Sequence, residues 1–254
     1  MRLRLRAHAN ANYSLLLVLA IIFSSAAIVI LVLPAGVAFA QSCIDPPPPP
    51  QCDPDAPPEI RFGDKNGGAG SCASPIIIDL TGDGFALTDA THGVKFDIAS
   101  TGTPVQIAWT ANADNAFLVF DRDGNGSITS GAELFGNYTP QPMSARPNGF
   151  LALAVYDQAD HGGNGDGIVD SQDAIFSDLR LWVDLNHDGI SQPTELFKLP
   201  DLGVFSISLD YRESRRTDQY GNVFRYRSRI NVNPGEQGQS TASREAYDIF
   251  LTAK

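Results

Sequence analysis

From residue 74 onward the apolar positions fall into short runs, each closed by Gly, Asp, Asn or Pro, with little sustained helical period. Residues 74–80, Ser-Pro-Ile-Ile-Ile-Asp-Leu, are β-branched and continuous, which predicts a buried strand. Residues 94–98 and 104–109 predict a pair of strands. Residues 113–120 carry Asp114 ahead of an apolar run, a pattern that predicts an N-cap and a short helix. After Asn148, another capping residue, Phe150, Leu153 and Ala154 recur at helical spacing, with Asp157 extending the face; this predicts a helix. A shorter helix is expected over 174–179, a strand over 179–183, and a helix over 193–199 with Pro193 in its first turn. Residues 205–211 and 223–232 both alternate, which predicts two half-buried strands of one hairpin joined by a polar stretch. Residues 246–252 predict a last strand.

The polar clusters between these elements decide the chemistry. Residues 121–133 place Asp121, Asp123 and Asn125 at the first, third and fifth places of an EF-hand-type loop. Gly126 takes the sixth, the Ser127 carbonyl the seventh and apolar Ile128 the eighth. The acid expected at the twelfth place is Ala132; Glu133 follows one residue later, and Gly131 is an insertion that can absorb the difference. Residues 184–195 are more regular, with Asp184, Asn186, Asp188, Gly189, the Ile190 carbonyl and Glu195 at places one, three, five, six, seven and twelve. His187 falls between ligand places and is expected to face solvent. Asn164, Asp166, Ile168, Asp170 and Asp173 continue the same pattern, but its first place falls on Gly162, so Asp157 or Asp160 is expected to fold back as the missing acid. Asp173 also reads as a carboxylate at a helix N-terminus, favoured there without any metal. Asp79, Thr81 and Asp83 form a one-sided set with Ala90 at the twelfth place; a cation site completed from elsewhere and a plain Asp/Gly turn both remain open. Residues 97–102 are read as a turn, because Ala99 offers no ligand. A hard cation, Ca²⁺, is the cofactor that such oxygen sets suit, taking roughly six to eight oxygens at about 2.3–2.6 Å. The expected fold class is α+β, with short antiparallel strands and hairpins, EF-hand-like calcium loops and short helices.

The N-terminal region changes the picture of where the protein works. Arg2, Arg4 and Arg6 precede an apolar run over 15–33, and Ala38-Phe39-Ala40 has the small-x-small form of a signal-peptidase site, so 1–40 is expected to be a signal peptide. An uncleaved anchor is the alternative, because the run is long enough to span a bilayer. Lipidation of Cys43 is a lesser one, since Ala40-Gln41-Ser42 matches a lipoprotein box poorly. Residues 41–73, with prolines 46–50 and Gly67, Gly68 and Gly70, read as a linker, either a stiff spacer or a flexible N-terminus. Residues 74–254 are then the calcium-binding domain. Export permits a disulfide, Cys43 with Cys52 or Cys52 with Cys72, and leaves one thiol over. The formal charge is −11, and −14 without the leader, from 15 basic and 29 acidic residues. That balance disfavours nucleic acid and anionic lipid as partners and suits divalent cations. Arg225, Arg227 and Arg229 share one strand face, read as solvated or paired with carboxylates in preference to an anion site.

Several of these motifs stand in a fixed order: Pro-Ile-Ile-Ile-Asp-Leu-x-Gly-Asp-Gly from Pro75, Phe-Leu-Val-Phe-Asp-Arg-Asp-Gly-Asn-Gly from Phe117, Gly-Ala-Glu-Leu-Phe-Gly from Gly131, Asn-Gly-Asp-Gly-Ile-Val-Asp from Asn164, and Leu-Arg-Leu-Trp-Val-Asp-Leu-Asn-His-Asp-Gly-Ile-Ser from Leu179. Together, over about residues 74–209, they resemble the calcium-binding region of secreted RTX-type and haemolysin-like proteins. The resemblance implies that Glu133 is a ligand, since the late Glu is usual there. Some relatives of that module cleave themselves at an Asp-Pro bond once calcium binds. The matching dipeptide is Ser74-Pro75, and serine cannot form the cyclic anhydride, so the resemblance implies that this chemistry is lost.

Three functions follow as expectations. The leading one is a secreted or surface-tethered, non-enzymatic calcium-binding module whose fold the ion orders. An enzyme is the second, but beyond the leader the chain has only His92, His161 and His187, and no nucleophile or metalloprotease motif. A calcium-dependent adhesion domain for a cell-envelope or extracellular protein or polysaccharide is the third.

Overall fold

A computed structural model describes residues 73–231 and 244–254. All belong to the second of two compact units, Pro46–Lys254. The expected leader, the linker up to residue 72 and the three cysteines lie outside the described residues.

Among the described residues eleven short strands dominate: β1 (Ile76–Asp79), β2 (Val94–Phe96), β3 (Val105–Ile107), β4 (Asn115–Val119), β5 (Ile168–Asp170), β6 (Arg180–Trp182), β7 (Leu196–Lys198), β8 (Ser206–Ser208), β9 (Arg212–Thr217), β10 (Val223–Arg229) and β11 (Glu245–Phe250). Seven of them make one antiparallel sheet in the order β7-β6-β4-β1-β11-β10-β9, while β2-β3 and β5-β8 are separate pairs. Among the described residues the one α-helix is α1 (Gly149–Leu153), where the Asn148 side chain accepts the Leu151 N–H as an N-cap. The fold is therefore β-rich, which corrects the expected α+β class.

The sheet is covered on both faces, which explains why its strands read as continuous apolar runs. Ile76 and Ile78 of β1, Leu118 of β4 and Leu181 of β6 face a core closed by Phe150 and Leu153 of α1, Val169 of β5 and Ile207 of β8. Ile77, Phe117, Val119 and Trp182 face the opposite core, closed by Val94 and Phe96 of β2 and by Ile107 and Trp109. Alternation along each strand divides its side chains between two buried layers, so the run loses its polar half.

Several expected helices are strands or single 3-10 turns. Residues 115–119 form β4, buried at every position and hydrogen-bonded between β1 and β6. Sheet membership on two sides outweighs the local capping signal at Asp114. The 193–199 helix shrinks to a 3-10 turn, Pro193–Glu195, followed by β7, and that over 174–179 to Ala174–Ser177. The expected hairpin of 205–211 with 223–232 is not formed as such: β8 pairs with β5, and β10 takes β9, from the polar stretch, as its hairpin partner. Polar β9 is the edge strand, where solvated side chains are tolerated. The pairing of β2 with β3 matches the sequence reading, as does a last strand at β11, which lies between β1 and β10.

Candidate metal centre

Two loops leave opposite ends of the neighbouring strands β4 and β6, and both close in the same way. In residues 121–133 the Phe120 N–H donates to the Glu133 carbonyl at 2.8 Å; in residues 184–195 the Val183 N–H donates to the Glu195 carbonyl at 3.0 Å. In each case the residue before the first Asp pairs with the closing Glu, so Glu133 stands where Glu195 stands despite the additional residue. The insertion is absorbed at Gly131, whose N–H donates to the Asp97 carbonyl. A Cβ there would lie 1.8 Å from the Ile98 carbonyl oxygen.

In the 121–133 loop, Asp121 Oδ1 accepts the Gly124 and Asn125 N–H groups and Oδ2 that of Gly126. The Asn125 amide nitrogen donates to Asp123 at 2.8 Å, and its oxygen accepts the Ser127 N–H. Glu133 is 4% exposed; its Oε2 accepts the Thr129 N–H at 2.7 Å and the Thr129 hydroxyl at 3.0 Å. Its Oε1 is buried with no hydrogen-bond partner. Carboxylate oxygens of Asp121, Asp123 and Glu133 lie within 4.8 Å of one another. Two oxygens on one Ca²⁺ at about 2.4 Å can be at most about 5 Å apart, so the set fits that ion. Arg122 braces the loop from beneath, donating through Nε to the Ala132 carbonyl and lying over the Phe120, Phe135 and Tyr156 rings.

The 184–195 loop has the more regular sequence, yet every carboxylate oxygen of its three acids already has a protein donor. Asp184, 1% exposed, accepts the Asp188 and Gly189 N–H groups and the Trp109 indole N–H at 2.8 Å. Glu195, 3% exposed, accepts the Leu185 and Gln192 N–H groups and, at 3.4 Å, the Trp182 indole. Asn186 and Gln192 both donate to Asp188, whose other oxygen accepts the Ile190 N–H. His187 is exposed, as expected.

In the third loop Asp157 takes the first place. Its two oxygens accept the Gly165 and Gly167 N–H groups, as Asp121 and Asp184 serve the sixth-place glycines of their own loops. Asp160 instead points to His161. Asn164 and Asp166 bond to each other, and the Ile168 N–H to Asp166. Asp173 accepts the Asn164 and Asp170 N–H groups. Burial above all raises its pKa; those N–H groups lower it, and the Asp157 and Asp170 carboxylates add to the rise. Asp79 accepts N–H groups from Thr81, Gly82 and Gly84, and the Thr81 hydroxyl donates to Asp83: the geometry of an Asp-initiated turn. The Asp97 turn is built likewise.

Sequence reading missed the supporting residues Thr129, Trp109, Trp182 and Arg122. Only Thr129 lies near its partner in sequence; Trp109 and Asp184 are 75 residues apart and share no local signal.

With this arrangement described, the profile of the SPM domain matches residues 76–244, more than half of the chain. The chain belongs to the SPM domain family. The match takes in all four Asp/Gly loops and the strands that carry them. This SPM domain is also similar to the iron-regulated protein FrpA of Neisseria meningitidis serogroup C, 39% identical over 167 residues, or 65% of this chain and 14% of that protein. The chain thus matches only a small part of that much longer relative.

Proposed function

We propose that this SPM domain is a non-enzymatic, exported calcium-binding module, with residues 121–133 as its principal site and the ion ordering the surrounding fold. The observation that carries the reading is Glu133, whose Oε1 is a buried carboxylate oxygen without a donor and whose carboxylate clusters with those of Asp121 and Asp123. Three carboxylates so close together, one buried, one half-buried and one exposed, repel one another, and a divalent cation reverses that balance. Asp121, Asp123 and Glu133 would hold the ion, with the Ser127 carbonyl as a further donor. The absence of His or Cys from the set favours a hard cation over zinc. When bound, the ion supplies charge neutralisation; the chain's part is to hold its oxygens in place. A non-enzymatic role accords with the histidines, of which His92 pairs with Asp89, His161 with Asp160, and His187 is exposed.

Calorimetric titration of Ca²⁺ into the chain tests the reading, beside Mg²⁺ and beside an Asp121→Ala, Glu133→Gln variant. Saturable binding of Ca²⁺ that the variant loses is the expected result; equal binding by both proteins would place the ion elsewhere.

A further inference from the structure

The two loops that follow β4 and β6 touch at their eighth places. Ser191 holds that place in the 184–195 loop, and Ile128 in the 121–133 loop. The Ile128 N–H donates to the Ser191 hydroxyl at 2.6 Å, and the same hydroxyl donates to the Ile128 carbonyl at 3.3 Å. Both residues are buried, so one side chain satisfies two backbone groups that water does not reach. The chain on either side of Ile128 carries the site. Ser127 offers its carbonyl on one side; on the other, Thr129 grips Glu133 Oε2, while Oε1 stays without a donor and the Glu133 carboxylate sits in the acid cluster. On its far side the 184–195 loop is held by Trp109 and Trp182, the only tryptophans in the sequence, which donate to Asp184 and Glu195 and stand 5.4 Å apart, edge to face.

We propose that Ser191 is a positioning residue for the cation site in residues 121–133, and that through it the 184–195 loop and its two tryptophans respond to the ion held there. This rests on the calcium reading above. Ser191 reaches no ligand oxygen; it acts by fixing Ile128, and through it Ser127 and Thr129. The most regular loop then serves as a clamp, its acids already occupied by indole and backbone donors, while the less regular one takes the ion.

The test titrates Ca²⁺ into the full chain by calorimetry and tryptophan emission in parallel, for the wild type, Ser191→Ala and Ser191→Thr. Binding by the wild type with a matching emission change is expected. Ser191→Ala should bind about tenfold more weakly, the usual scale for losing a residue that orients a ligand, and lose the emission change; Ser191→Thr, which keeps the hydroxyl, should restore both. If Ser191→Ala does not fold, Ser191→Val set against the near-isosteric Ser191→Thr answers the same question. An alanine variant that binds with wild-type affinity and emission response overturns the inference and leaves the calcium reading standing. A lower melting temperature in chelator with unchanged affinity and emission means that Ser191 is merely structural, and also overturns it. Absence of binding by the wild type overturns both.

Discussion

Glu133 concentrates the argument at the scale of a single residue. A buried carboxylate oxygen without a donor costs roughly 1–3 kcal/mol or more, so on the calcium reading proposed above the ion-free protein carries strain that a bound ion would remove. Glu133→Gln should therefore separate two quantities: stability in chelator, measured by urea unfolding, should hold or rise, while calcium affinity should fall by tenfold or more. A variant destabilised in chelator with unaltered affinity would show that Glu133 is a structural acid. Gly131→Ala should act from the backbone side. The new Cβ meets the Ile98 carbonyl, the chain must shift, and a cost of about 1–3 kcal/mol is expected, together with weaker binding because Glu133 moves with it. At this scale much was legible, since the first, third and fifth places read directly from Asp-x-Asp-x-Asn spacing. What spacing could not reveal was occupancy. The loop that fits the pattern best has its acids occupied by two indoles from the aromatic core, and the loop with a misplaced Glu keeps an oxygen open. Asp157 was one of two candidates for its role; its carboxylate accepts the Gly165 and Gly167 N–H groups, whereas Asp160 bonds to His161.

The elements were legible where one burial pattern governed them and illegible where pairing did. β1, β6 and α1 read correctly, because a β-branched run, an alternation and an Asn N-cap each have a local cause. β4 did not, since Ala, Phe, Leu and Val after Asp114 fit a helix until β1 and β6 flank them. β9 was read as a connection because it is polar, and its sheet membership depends on what lies beneath it. There the Arg216 guanidinium sits 4.2 Å from the Phe224 ring centroid and also faces Phe85 and Tyr247. An exposed cation over an aromatic ring contributes on the order of 0.5–1 kcal/mol. Arg216→Ala should thus lower global stability by about that much, and amide exchange should quicken first across β9. Exchange rates unchanged in β9 would mean that its backbone pairing with β10 holds the edge strand without the stacked cation. The expected arginine face on β10 is modest in the structure, Arg227 pairing with Glu245 at 3.3 Å.

At the scale of the whole molecule, Asp248 joins the layers. It lies in the interior strand β11, fully buried, and its Oδ2 accepts the N–H of Gly149 at the start of α1. Burial lifts its pKa from 3.8 to about 7; the nearby Ser74 hydroxyl and the Gly149 N–H oppose this without prevailing. The sign follows from linkage. In the unfolded chain the carboxyl ionises near 3.8, while in the folded one it keeps its proton up to about 7. The folded state therefore binds more protons between those values, and stability present below the lower pKa is lost as pH rises through the upper one, by up to roughly 1.4 kcal/mol per pH unit between them. Asp248→Asn keeps an acceptor for Gly149 and carries no charge. Unfolding of both proteins by urea in chelator at pH 5, 6, 7 and 8 isolates this group, because the other titrating side chains are common to the pair. The variant should gain stability relative to the wild type as pH rises, with the difference levelling off above about pH 7. Parallel curves would mean that Asp248 is ionised in the fold across this range, held by Ser74 and α1, and that the junction between sheet and helix is a charged one.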